Sequence, residues 1–255
     1  MGRAGASPVR LFLIPLLFAS SIASAQSFTF RLPSREVVID LSPLPRTTIA
    51  IRDPTDGSRR KLLLGVSLQS LLAAHPAPAG ADALAVRCDD GWLSLLPIAT
   101  LRHRPLLALA ESTARGPVAL APPRGPIFLA WPNADSPAVD AEVDPGAWAF
   151  AVASLEWVRL ADFALPAANS PNAQTGRSLF AYHCQHCHAL AGRGGIAGWD
   201  LSMPPILTYR TERYVTRYIA DPRQQNPAAH MPAFKTKLTP LQIDSLVTYL
   251  RTLKP

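Results

Sequence analysis

Cys184-Gln185-His186-Cys187-His188 places two thiols three residues apart with an imidazole directly after them, the arrangement that covalent haem attachment requires. On one helical turn, side chains at i and i+3 leave the same face, so Cys184 and Cys187 can both reach the two vinyl groups of one porphyrin. His188 is then carried under the tethered ring, where a neutral ring nitrogen can ligate iron from the proximal side. A thioredoxin-type thiol pair or half of a zinc site also uses cysteines at this spacing. No βαβ pattern surrounds the pair, however, and the third cysteine, Cys88, stands alone.

The motif needs helices to position it. Upstream, Gly176, Phe180 and Cys184 fall at i, i+4 and i+8 on one stripe, widened by Leu179 and Tyr182. Downstream, Thr239-Pro240-Leu241-Gln242 is a capping box with proline at the first helical position. It opens a helix with Ile243, Leu246, Val247, Leu250 and Leu253 on one face. A second axial ligand is expected from the loop between the motif and this last helix. Met203, in Ser202-Met203-Pro204-Pro205, and Met231, in His230-Met231-Pro232-Ala233-Phe234, are the methionines there. A thioether raises the potential relative to a second imidazole.

With Gly176 and Phe180 ahead of the motif and Leu246 and Tyr249 in a terminal Leu-Val-Thr-Tyr-Leu helix, residues 170–255 resemble the class I c-type cytochromes. The resemblance implies an all-α domain with crossed terminal helices, the glycine letting the two backbones approach. It implies one covalent haem c on Cys184 and Cys187, with His188 as proximal and Met231 as distal iron ligand. Met203 remains the competing ligand, fifteen residues past His188, and is otherwise an apolar filler at the haem edge. Gly198-Trp199-Asp200-Leu201 resembles the family's Gly-Pro-x-Leu turn, whose main-chain carbonyl accepts the proximal imidazole N–H; tryptophan here replaces the proline. The remaining histidines, His75, His103, His183, His186 and His230, are given no ligand role, and His186 is expected to point away from iron.

The other end of the chain bears on compartment. Arg3 and Arg10 precede an apolar run from Leu11 to Phe18, and Ala23-Ser24-Ala25 supplies small residues of the kind a signal peptidase reads. Residues 1–25 are therefore expected to be a cleaved signal peptide and the mature chain periplasmic. No later stretch has the roughly eighteen apolar residues that a membrane span needs. Cys88, left without a partner, allows no disulfide framework.

The mature chain exceeds a small cytochrome, leaving enough residues for one further core. Residues 26–165 form the expected front domain, 166–175 a proline-containing linker and 176–255 the cytochrome domain. Short β runs fill the front: 36–41, 47–51, 60–64, 84–88 and 92–96, with Asp56-Gly57 and Asp90-Gly91 as hairpin turns. One helix is expected over 67–74, capped by Ser67 and buried through Leu68, Leu71 and Leu72. A further strand follows Pro122-Pro123-Arg124-Gly125-Pro126 and runs to Asn133, and Trp148, Phe150, Val152 and Trp157 close the domain.

In that order of elements, residues 60–160 resemble a short form of the sulfite-oxidase-type molybdopterin-binding domain. The fold class is thus α+β with two domains, a mainly-β sulfite-oxidase-like domain followed by an all-α cytochrome. In that family a cysteine thiolate holds molybdenum, and Cys88 is the sole candidate here. Its setting is a strand running into a hairpin, and the domain is short for a pterin, so a structural role for Cys88 and a front domain without cofactor are expected.

Charge divides unevenly. Lys and Arg against Asp and Glu number 13 and 14 over residues 26–169, a net of −1, and 10 and 4 over 170–255, a net of +6. A basic face of this kind steers docking onto an acidic redox partner, whether dehydrogenase, oxidase or another cytochrome. Nucleic acid is not expected as a partner, since no aromatic stripe or binding motif accompanies the basic residues. No catalytic constellation appears, which favours an electron carrier over an enzyme. The alternative is a molybdenum-dependent oxidoreductase, or its haem subunit, with the haem as in-chain acceptor. A third is an open, ligand-binding haem with Met231 off the iron.

Overall fold

A computed structural model of the chain describes residues 26–53, 59–122 and 124–253. The expected signal peptide, the Asp56-Gly57 turn and Pro123 lie outside the described residues.

The front of the chain folds into β1 (Ser27–Leu32), β2 (Arg35–Asp40), β3 (Thr47–Arg52), β4 (Arg60–Ser67), α1 (Leu68–Ala74), β5 (Ala83–Cys88), β6 (Leu93–Pro97), β7 (Leu106–Thr113), β8 (Gly116–Ala119), β9 (Phe128–Ala130), α2 (Pro137–Glu142) and β10 (Val152–Val158). These strands make two sheets. One runs β2-β1-β10-β5-β6, and the other β3-β4-β7-β8 with β9 on β7. Every pairing is antiparallel except β1 with β10, where Thr29 faces Ser154 and the two ends of the domain meet side by side. Phe30, Leu84, Val86 and Leu155 of the first sheet and Leu63, Leu107 and Phe128 of the second share one buried core. Trp131 is fully buried there and its indole N–H donates to the Ala147 carbonyl at 3.0 Å.

Local chemistry explains several boundaries. Ser67 caps α1 by accepting from the Ser70 amide at 3.4 Å. The Asp90-Gly91 turn closes the β5–β6 hairpin: Asp90 accepts from the Trp92 amide at 2.9 Å, and Gly91 takes a φ of +87° that disfavours any side chain. Strands β1, β7 and β8 and helix α2 extend the sequence-based expectation. The mainly-β character of the front domain stands, whereas its likeness to one named family is not a property of the sheets alone.

The back of the chain carries α3 (Pro171–His183), α4 (Glu212–Ala220) and α5 (Pro240–Arg251). Helix α3 opens within the stretch expected as linker: Ser170 is its N-cap, and Pro171 its first residue. The connection is pinned, since the Arg177 guanidinium donates to the Leu165 and Pro166 carbonyls and the Tyr249 hydroxyl donates to Pro166 at 2.8 Å. The capping box at Thr239 and Gln242 forms in both directions. None of the helices among the described residues is long and apolar enough to cross a membrane.

Helices α3 and α5 cross where Gly176 meets Ser245. A Cβ on Gly176 would stand 1.9 Å from the Ser245 carbonyl oxygen and 2.8 Å from Tyr249 Cβ. Phe180 packs edge-on to Tyr249 with centroids 6.2 Å apart, inside a second core with Leu190, Val215, Leu246 and Leu250. Helix propensity alone would make Gly176→Ala stabilising by about 1 kcal/mol. Because the added carbon forces two backbones apart, the expected result is a net loss of about 1–2 kcal/mol in urea unfolding followed by circular dichroism. A gain would show that the helices do not meet at Gly176.

Candidate functional site

Helix α3 stops at His183, one residue short of the end of the Gly176-Phe180-Cys184 stripe, and Cys184 is its C-cap. The Cys184–His188 segment is therefore a turn and not a helical face. Its spacing survives because the Cys187 and His188 amides both donate to the Cys184 carbonyl, at 3.0 and 2.8 Å. The Cys184 and Gln185 amides donate to Phe180, each at 2.9 Å, tying the turn to the helix. The next carbonyls are taken from outside: Gln185 accepts from Gly195 at 2.8 Å, His186 from Leu93 at 2.9 Å and Cys187 from Gly198 at 2.7 Å.

Both cysteines of the turn are free thiols. Burial pushes the Cys184 thiol up to about 12, assisted by Cys187; burial and the Asp90 carboxylate push Cys187 up to about 11. A thioredoxin-type nucleophile needs a lowered thiol pKa, so this pair is not poised for thiol exchange. Among the described residues no group of three or more His, Cys, Asp or Glu could hold a metal ion, so the pair has no partners for a zinc site.

His188 is oriented by main chain. Its Nδ1 lies 2.8 Å from the Trp199 carbonyl oxygen, which makes Nδ1 the protonated nitrogen and leaves the Nε2 lone pair available. Gly198 lies against the ring, where a Cβ would stand 2.2 Å from His188 Cε1. Burial lowers the His188 pKa, and the bond to Trp199 offsets part of this, which favours the neutral imidazole that a metal ligand must be. Replacing the family's proline with Trp199 thus leaves the acceptor in place, while the indole itself is 76% exposed. A cradle with two thiols and a fixed imidazole in one turn fits a covalently attached haem.

The two methionines differ in setting. Met231 packs against the second core, whereas Met203 is 70% exposed. Of the other histidines, His75 stacks on Phe30 at 5.1 Å, His103 lies 3.0 Å from Glu142, His183 meets the Phe234 edge at 6.0 Å and His230 is exposed. His186, given no role from the sequence, is held against the front domain by Leu93 and Trp92. No local signal in the sequence marks that contact.

The loop after His188 is locked by Asp200. Its carboxylate accepts from the Gly192 amide at 2.8 Å, the Ser202 amide at 2.9 Å and the Ser202 hydroxyl at 2.7 Å. Cys88 sits in the front core, and burial with help from Asp90 and Asp89 pushes its thiol up to about 12.

Residues 171–250 match the family described as Cytochrome C oxidase, cbb3-type, subunit III, which is consistent with a c-type cytochrome segment. The match covers the helical part alone. No curated protein matches the chain.

Asp200 generates a pH test. Burial raises its carboxyl, but the hydrogen bonds from Ser202 and Gly192 outweigh that and hold it below the ordinary value. It therefore contributes stability above about pH 4 that is lost as the pH falls through the folded value. Asp200→Asn removes that loss, so its urea midpoint should drop less than the wild type's between about pH 6 and about pH 3. Equal drops would show that the loop does not depend on the ionised carboxylate.

Proposed function

We propose that the helical domain holds one haem c, attached through Cys184 and Cys187 with iron between His188 and Met231, and that the protein exchanges electrons with a redox partner in the periplasm. The observation that carries this is the His188 Nδ1 contact to the Trp199 carbonyl at 2.8 Å, immediately after a turn presenting two free thiols. When bound, the haem supplies a one-electron couple and no acid/base chemistry.

The chain's own residues do the rest. Trp199 and Gly198 fix the His188 ring and its tautomer, so that its Nε2 lone pair would be available to iron. Met231 packs, partly buried, against the apolar core that holds Leu190, Phe234 and Leu246. The excess of ten basic over four acidic residues in 170–255 supports an acidic docking face on the partner. Arg3, Arg10 and the Ala23-Ser24-Ala25 stretch support export.

The front domain is read as a short sulfite-oxidase-type fold that has no cofactor and serves docking. The capped helix α1, the Asp90-Gly91 hairpin and the aromatic closing segment around Trp148 support that kinship. The burial of Cys88 within the front core supports a structural role.

The test is the exported protein made with an intact maturation system. It should weigh one haem more than its mature chain, show a Soret band, and contain iron with no stoichiometric molybdenum. The weak near-infrared sulfur-to-iron band should be present in the wild type and in Met203→Leu, and absent in Met231→Leu, whose potential should also fall. Loss of the band in Met203→Leu alone would reassign the ligand, and a chain of bare amino-acid mass would end the proposal.

A further inference from the structure

His186, one of the two residues between Cys184 and Cys187, packs against the front domain. The His186 imidazole lies parallel to the Trp92 indole, with centroids 4.9 Å apart and planes 5° off. Its Nε2 end abuts Gly146, where a Cβ would stand 2.0 Å from that nitrogen. The indole N–H of Trp92 donates to the Gly146 carbonyl at 3.2 Å and to Ser94 Oγ at 3.1 Å, so both walls of the slot are tied together. Leu93 grips His186 twice: its amide donates to the His186 carbonyl at 2.9 Å, and its carbonyl oxygen lies 2.8 Å from Nδ1.

Leu93 opens β6, and β6 is an edge of the first sheet. An edge strand offers unpaired backbone groups to any passing chain unless something covers them, and here the Cys184–His188 turn covers those of Leu93. Further bonds surround this one. Gly91 accepts from the Ile196 and Ala197 amides at 2.8 and 3.2 Å, Gln185 Nε2 donates to Phe163 at 2.8 Å, and Arg193 donates to Ala164 at 2.7 Å. Nε2 of His186 is buried without a hydrogen-bond partner, 3.7 Å from Asp144. Such a nitrogen costs stability, and the stack and the two Leu93 bonds must offset it.

We propose that His186 is a positioning residue that seats the haem-attachment turn on the edge of β6, making the front domain a fixed wall of the haem site on its Cys187 side. The proposal rests on the haem reading above. This wall holds water off the attachment turn, and an outside redox partner has to approach the haem from another side. Water reaching the attachment edge stabilises the more highly charged oxidised form, so opening the wall lowers the potential. Asp90 and Asp144 would act in the opposite sense as they move away, but Asp144 is 40% exposed and both are screened by solvent, so hydration dominates.

The experiment compares the exported, haem-loaded wild type with His186→Ala, Gly146→Leu and His186→Asn. Amide hydrogen exchange at Leu93, Ile196 and Ala197 should be slow in the wild type and roughly tenfold or more faster in the first two variants. Both should keep their Soret band and show a lowered potential. Because Gly146→Leu displaces the His186 ring from the front-domain side and leaves every residue of the attachment motif unchanged, a shared change with the Soret band kept does not come from a lost attachment motif. His186→Asn, whose side-chain amide can still donate to Leu93, should recover part of the protection and of the potential. A wild type with a Soret band but an unprotected Leu93 amide overturns this proposal alone, as do variants with fast exchange and an unmoved potential. A wild type without a Soret band overturns the haem reading and this proposal with it.

Discussion

A five-residue turn can aim two thiols and an imidazole at one plane only if something outside holds its backbone, because so short a loop closes few hydrogen bonds of its own. Here the consecutive carbonyls of Cys184, Gln185, His186 and Cys187 all accept, and three of the five donors, Gly195, Leu93 and Gly198, lie beyond the turn. Helix α3 holds the entry through Phe180, and the Gly198-Trp199 segment holds the exit together with the His188 ring. The conformation of the motif therefore belongs to its surroundings more than to its own residues. A buried backbone group left unpaired would cost about 1–3 kcal/mol, so each of these donors is part of what makes the turn rigid.

Two cores supply that rigidity and meet at the turn. The helical one depends on the main-chain approach at Gly176, which brings Phe180 against Tyr249 and so sets the height at which α3 delivers Cys184. The sheet core fixes Trp131, Trp148 and the hairpin from which Gly91, Trp92 and Leu93 reach the turn. Leu165 and Pro166, between the last strand and α3, are bonded to Arg177 and Tyr249, so the connection behaves as part of the helical core and not as a loose tether.

What could be read from the residues was what depends on near neighbours. The thiol and imidazole spacing, the Ser67 and Thr239 caps, the Gly91 turn and the Trp199 carbonyl are all settled within a few positions of the chain, and each has a sequence signature. Three kinds of feature escaped. Leu106–Ala110 is a continuous apolar run, which periodicity alone cannot assign to strand or helix. Strand β8 is mostly exposed and shows no alternation. The place of His186 depends on a strand edge more than ninety residues earlier, and nothing about a histidine between two cysteines announces a tryptophan waiting for it. The end of α3 at His183 was missed for a related reason: the stripe through Cys184 continues in type, while the backbone turns.

The parallel pairing of β1 with β10 also governs the order in which the molecule can assemble. Thr29 and Ser154 must find each other across a separation of about 125 residues, and such distant closure is slow. The contact between α3 and α5 spans little more than half that length and joins two preformed helical turns. The later-made part of the polypeptide is thus expected to acquire its native shape sooner than the part made before it. The bonds from Leu93 to the Cys184–His188 turn are complete only once both parts have folded.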